Sequence, residues 1–118
     1  MRFMMLYKPT DPAPAFPPSK ECLAEMEKFM EEGRKSGALI TTGGLHPINK
    51  GARVRLAKDK LTVTDGPFTE AKELVAGFAI LELKSREEAI ESARDFLKVA
   101  GDGECEIRQL IEPSDFTA

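Results

Sequence analysis

The 118-residue chain has no tryptophan, one tyrosine, one histidine and two cysteines. Each scarcity excludes a class of chemistry. Cys22 and Cys105 are far apart, have no C-x-x-C spacing and no histidine cluster beside them, so no disulfide framework, redox motif or zinc site is written here. Both are expected to be buried thiols. No phosphate-binding loop, nucleophile elbow or zinc-protease motif occurs, and no cofactor is expected. No apolar run approaches the length of a membrane span, and the amino-terminal MRFMMLYKP is broken by Lys8 and Pro9 before it could form a signal-peptide core. The expectation is a cytoplasmic, reduced protein with no membrane partner. Seventeen basic residues against twenty acidic ones give a net charge of −3, which argues against nucleic acid as a partner.

What is present is an ordinary globular composition, 42% hydrophobic and 31% charged, in a chain long enough for one domain spanning residues 1–118. Phe3 to Tyr7 reads as a strand. Pro9, Pro12, Pro14, Pro17 and Pro18 then impose extended backbone, and Ser19 is placed to cap a helix. Its apolar positions Cys22, Leu23, Met26, Phe29 and Met30 recur three and four apart, and Gly37 suits its end. ALITT is a second strand stopped by Gly43 and Gly44. ARVRLA and KLTVTD form a hairpin turning at Lys58 and Asp59, which pairs Val54 with Val63, Arg55 with Thr62 and Leu56 with Leu61. LVAGFAILEL is apolar on both alternating sets and should be central in a sheet. Ser85 and Glu88 fit a capping box for a second helix, whose inward stripe is Ala89, Ile90, Ala93, Leu97 and Ala100, and ECEIRQLI is the last strand.

The order strand, helix, strand, hairpin, strand, helix, strand predicts an α+β fold of ferredoxin-like topology, an antiparallel sheet with two helices on one face and an inserted hairpin. Two helices cover one face only. The other, carrying Phe78 and Ile80, would be left apolar in a single copy, so a homodimer with sheets facing each other is expected, with a pocket for a small-molecule ligand between sheet, helices and loops.

Few residues are suited to chemistry. His46, in GGLHP, is the sole imidazole and an acid–base candidate, set against the reading of an ordinary loop histidine. Asp65 continues the apolar stripe of Leu61 and Val63, an expensive place for a carboxylate unless it finds donors or works chemically. Alternatively, Asp65 fixes the corner as an Asx turn. Phe68 is a natural plug beyond that corner. Glu70, Lys72 and Glu73 line a pocket rim or form a solvated face. Arg53 and Arg55 share a face with Thr62 and Thr64 and suit a carboxylate or phosphate, or simply make the hairpin's polar side. The basic concentration has no interleaved aromatics, which again disfavours nucleic acid.

The stretch VTDGPFTEAKELVAGF resembles the D-G-P-F-x-E-x-K-E-x-x-x-G-F signature of the YCII-related (DGPF) family, and GLHPINKGARVR, MRFMML and GECEIRQLIEPSDF resemble its flanking parts. The resemblance implies a dimeric α/β barrel, an active-site cleft with a histidine–aspartate pair, and a lyase-like elimination in some relatives. It also implies an alternative, a regulatory or ligand-binding module linked to a sigma factor. Asp65, Gly66, Pro67, Phe68, Glu70, Lys72, Glu73, Gly77 and Phe78 match the signature, and His46 and Pro47 match the L-H-P of one subgroup. Gly43 stands where similar sequences often carry an acid, and Ala79 and Ile80 where they often carry tryptophan. The resulting expectation is cofactor-free proton transfer, of lyase or isomerase type, with His46 and Asp65 catalytic and Tyr7, Arg55, Phe68, Glu70 and Lys72 contacting substrate. A third reading has the charged segment only bracing the dimer.

Overall fold

The computed structural model describes residues 1–10, 19–46, 51–65 and 75–117. In chain order the elements are β1 (Arg2–Pro9), α1 (Lys20–Ser36), β2 (Leu39–Gly44), β3 (Ala52–Ala57), β4 (Lys60–Asp65), β5 (Gly77–Glu82), α2 (Arg86–Ala100) and β6 (Gly103–Gln109), followed by a single 3₁₀ turn at Pro113–Phe116. The segment read as a long fifth strand is paired only from Gly77 onward.

Four strands form one antiparallel sheet in the order β2-β5-β1-β6, and β3 and β4 form a separate two-stranded ribbon. The sheet order is compatible with a ferredoxin-like fold, and β5 lies inside the sheet as its doubly apolar pattern requires.

Local chemistry sets the element ends. The Ser19 hydroxyl accepts from the Cys22 amide at 3.1 Å to start α1, and Gly37 at φ 81° stops it in the left-handed region that glycine enters without strain. At α2 the Ser85 hydroxyl accepts from the Glu88 amide at 3.2 Å. The Glu88 carboxylate reaches back to the Lys84 amide at 3.0 Å, one residue before the expected capping-box partner. The ribbon turns at Lys58 and Asp59, both at positive φ (50° and 65°), as a two-residue I′ turn demands. Its register pairs Val54 with Val63, Arg55 with Thr62 and Leu56 with Leu61.

The core lies between sheet and helices. Phe3, Met5 and Leu81 from the sheet are buried, as are Ala89 and Ala93 of α2, with Leu39, Ala79, Leu83, Cys105 and Ile107 packed around Met5, Leu81 and Ala93. Since side chains alternate along a strand, Met4, Leu6, Phe78 and Ile80 point to the opposite face, where they are half-buried and no described helix covers them. Cys22 and Cys105 are half-buried rather than buried. Cys22 sits in the first turn of a helix that buries no residue fully, and Cys105 lies on an edge strand, so neither is fully enclosed. No helix among the described residues is long and apolar enough to cross a membrane.

Candidate functional site

Two strands, β2 and β5, end together at one edge of the sheet beside Tyr7 of β1, which runs on to Pro9. Tyr7, Gly77 and Gly44 are in register across β1, β5 and β2. Just beyond them the Ala76 amide donates to the Tyr7 carbonyl and the Leu45 amide donates to the Ala76 carbonyl, each at 2.8 Å. These two bonds continue the ladder past the strand ends and fix where the chain departs. The next residue after Leu45 is His46, which is exposed.

From His46 the chain enters residues 47–50 and returns as the ribbon, and from Asp65 it enters residues 66–74 and returns at Val75. Both connections between ribbon and sheet therefore attach at the edge that carries His46. Phe68, Glu70 and Lys72, the three signature residues read as substrate contacts, lie outside the described residues, as do Pro47, Gly66, Pro67 and Glu73.

Asp65 ends β4 opposite Ala52, on the same ribbon face as Leu61 and Val63. The expectation that this face would desolvate it is corrected: Leu61 and Val63 are 68% and 67% exposed, and Asp65 is exposed with them. The stripe is apolar, but nothing described in the same chain covers it. Arg55 is exposed on the other face, opposite Thr62, whose hydroxyl donates to the Arg55 carbonyl at 3.5 Å.

Tyr7 points to the helix side. Its ring meets Phe96 edge-on at 5.3 Å and its hydroxyl lies 3.4 and 3.5 Å from the carbonyl oxygens of Asp102 and Gly101. Burial pushes the phenol above its ordinary value, with the nearby Cys105, Asp102 and Cys22 adding to the shift. Burial likewise pushes the Cys105 thiol up. At neutral pH Tyr7 is thus a neutral donor rather than a base.

Two features escaped sequence reasoning. Lys8 and Glu106 pair at 2.9 Å on the open face of the sheet, with Arg108 reaching the other Glu106 oxygen at 3.4 Å. Hydrogen bonds from Lys8 and then Arg108 hold the Glu106 carboxyl below the usual carboxylate range. The Lys8 side chain is only 16% exposed, low for an ammonium. The second feature concerns Gly43. A Cβ there would stand 3.0 Å from the Phe78 ring, so the departure at Gly43 makes room for Phe78 to lie across β2. Only the β1–β6 and β2–β5 registers reveal these neighbours.

Two shallow recesses open near the other end of β1. One is lined by Phe3, Arg86, Ile90, Ile107 and Gln109, the other by Arg2, Glu82 and residues 110–114, and neither touches His46 or Asp65. Among the described residues no group of three or more histidine, cysteine, aspartate or glutamate side chains gathers as a metal site would need.

The sequence profile of the YCII-related domain matches residues 1–114. An uncharacterised protein of Rhizobium meliloti (strain 1021) is 32% identical over 92 residues, covering 77% of this chain and 71% of that protein.

Proposed function

We propose a function from one premise: the chain belongs to the YCII-related domain family. It acts as a homodimeric small-molecule enzyme that moves a proton without a cofactor, by elimination or isomerisation. His46 is the acid–base group, and Asp65 orients or supports it electrostatically. A second copy covers the open sheet face of Met4, Leu6, Phe78 and Ile80.

The observation that supports this reading is the convergence at one sheet edge. The paired amides of Leu45 and Ala76 anchor the backbone beside His46 to the same place where the signature segment re-enters the sheet. A proton-transfer site needs an imidazole of defined position and a carboxylate delivered to it, and both connecting segments start or end at that edge. Glu70 and Lys72 supply polar contacts for a ligand with a carboxylate or hydroxyl, and Phe68 supplies an apolar wall.

The test is hydrogen exchange from carbon. Wild-type chain is incubated in D₂O with a panel of 2-oxo acids, 3-hydroxy acids and enol lactones, and loss of C–H signals is followed by NMR. The expected result is exchange or elimination on one class of compound, reduced by roughly 10²–10⁴-fold in His46→Gln and less in Asp65→Asn. Undiminished turnover in His46→Gln removes the histidine assignment. A wild-type chain that neither binds nor exchanges any of the panel counts against the enzyme reading itself.

A further inference from the structure

One of the two recesses lies at the far end of β1 from His46, between the first turn of α2 and the β1–β6 pair, and holds about 390 Å³. That is within the roughly 300–1,000 Å³ of small-molecule sites. Strand register and helix period build it. Phe3 and Gln109 face each other across β1 and β6, and Ile107 stands two residues before Gln109, so all three point to the helix side. Arg86 and Ile90 are four apart on α2 and share one face of that helix. The floor is apolar, with Phe3 buried and Ile90 and Ile107 half-buried, and the two exposed lining residues are Arg86 and Gln109.

The polar groups at its mouth indicate what it takes. Arg2, Arg34, Arg94 and Arg108 each meet a carboxylate, whereas Arg86 forms no ion pair and no side-chain hydrogen bond with any described residue. The Gln109 side-chain amide has no partner among the described residues either. The mouth therefore presents a guanidinium and an amide N–H with no acceptor in place. Nor do the adjacent acids supply one: Glu87 and Glu88 start about 100° and 200° round the helix from Arg86, and the Glu88 carboxylate is held by the Lys84 amide at 3.0 Å. The second recess differs on this point, because its Arg2 already meets Glu82 at 3.5 Å and both residues line it.

We propose that this recess binds a small monocarboxylate with a short apolar tail. The tail lies on Phe3, Ile90 and Ile107, the carboxylate pairs with the Arg86 guanidinium, and the Gln109 amide donates to one of its oxygens. A guanidinium fork matches the two oxygens of a carboxylate, and a charge-assisted pair of this kind is stronger than a neutral hydrogen bond. An apolar acid satisfies both halves of the lining. A bare inorganic anion would leave the apolar floor wet, and a hydrocarbon without the acid would gain nothing from Arg86 or Gln109. The recess opens on the helix side, opposite the face of Met4, Leu6, Phe78 and Ile80, so a second copy on that face leaves it accessible. Binding here requires neither the proton-transfer site at His46 nor the dimer.

The experiment titrates isotope-labelled full-length chain with isocaproate and follows the NMR spectrum. Saturable shifts are expected at Phe3, the Ile90 and Ile107 methyls, the Gln109 side-chain amide and the Arg86 Nε–H, with half-saturation near ~1 mM for a ligand this small. Isocaproamide, which has the same shape and no charge, should bind at least ~10-fold more weakly. Isocaproate should bind Arg86→Gln more weakly by a similar factor, and Arg86→Lys should recover part of the loss. The acid–amide comparison uses wild type alone and is independent of variant folding, which circular dichroism checks. Equal affinity for acid and amide, or undiminished binding by Arg86→Gln, overturns the assignment. So do inorganic phosphate binding as tightly as isocaproate, shifts that gather around His46 instead, and a wild-type chain with no saturable shift up to ~50 mM.

Discussion

The sheet and the ribbon are written in the same alphabet and end in opposite environments. β1 alternates Phe3 and Met5, buried at 2% and 5%, with residues facing the other way. The ribbon alternates just as regularly, and its apolar set is about two-thirds exposed throughout. Alternation thus specifies which side chains share a face, while burial is decided by whatever arrives to cover that face. In the body α2 arrives, bringing Ala89 and Ala93; on the ribbon no described element of the same chain does.

Stability measurements can break or sharpen this contrast. The largest effect is expected at Phe3, where Phe3→Ala should cost about 3–5 kcal/mol in urea unfolding because a fully enclosed ring leaves a cavity. Gly43→Ala comes next, at about 1–3 kcal/mol, since its Cβ at 3.0 Å forces the Phe78 ring to move; a shifted Phe78 resonance would report it. Removing the cap by Ser85→Ala should cost about 1 kcal/mol, read from the same unfolding curves.

Two groups of the body set the alkaline limb of the pH profile. Cys105 and Tyr7 are both shifted upward in the folded chain, so the native state keeps its protons longer than the unfolded one. Their contribution is full below the ordinary values of 9.0 and 10.0 and is lost as pH rises through the folded values. Urea midpoints should therefore hold steady up to pH 9.0 and fall above it, and Cys105→Ala should move the onset of the fall toward pH 10.0. The smallest effect is expected on the ribbon. Leu56→Ser, measured on the dissociated chain, should change stability by no more than about 0.5 kcal/mol. A loss matching that of Phe3→Ala would mean that the ribbon is buried by its own chain, and the contrast would collapse.

How much was legible follows the range of each interaction. The caps at Ser19 and Ser85, the left-handed Gly37 and the ribbon register depend on residues within a few positions of one another, and all were readable. The bare helix-free face was readable too, because two helices cannot cover two faces. The Lys8–Glu106 pair and the Phe78 ring over Gly43 join residues 98 and 35 positions apart, and no local rule brings such residues together. Asp65 was placed correctly on the apolar stripe but wrongly taken to be desolvated, since pattern alone does not supply the covering surface. His46 was legible as a residue type at a strand end, and the edge it occupies became visible only through the bonds of Leu45 and Ala76. Phe68, Glu70 and Lys72 fall outside the described residues.

Gly44 and Gly77 face each other as paired residues of β2 and β5. Everything between them leaves the sheet and comes back to the position directly across the ladder, about 5 Å away. A tight turn joining those two glycines would close an uninterrupted hairpin that keeps the paired residues of all four strands and loses only the Leu45 and Ala76 bonds beyond them. The 32 residues thereby excised include His46 and the signature from Asp65 to Ala76, while its closing Gly77 and Phe78 stay in β5. The molecule is therefore a four-stranded scaffold with one insertion leaving and re-entering at a single seam, so the inserted sequence can vary while the scaffold's sequence stays fixed.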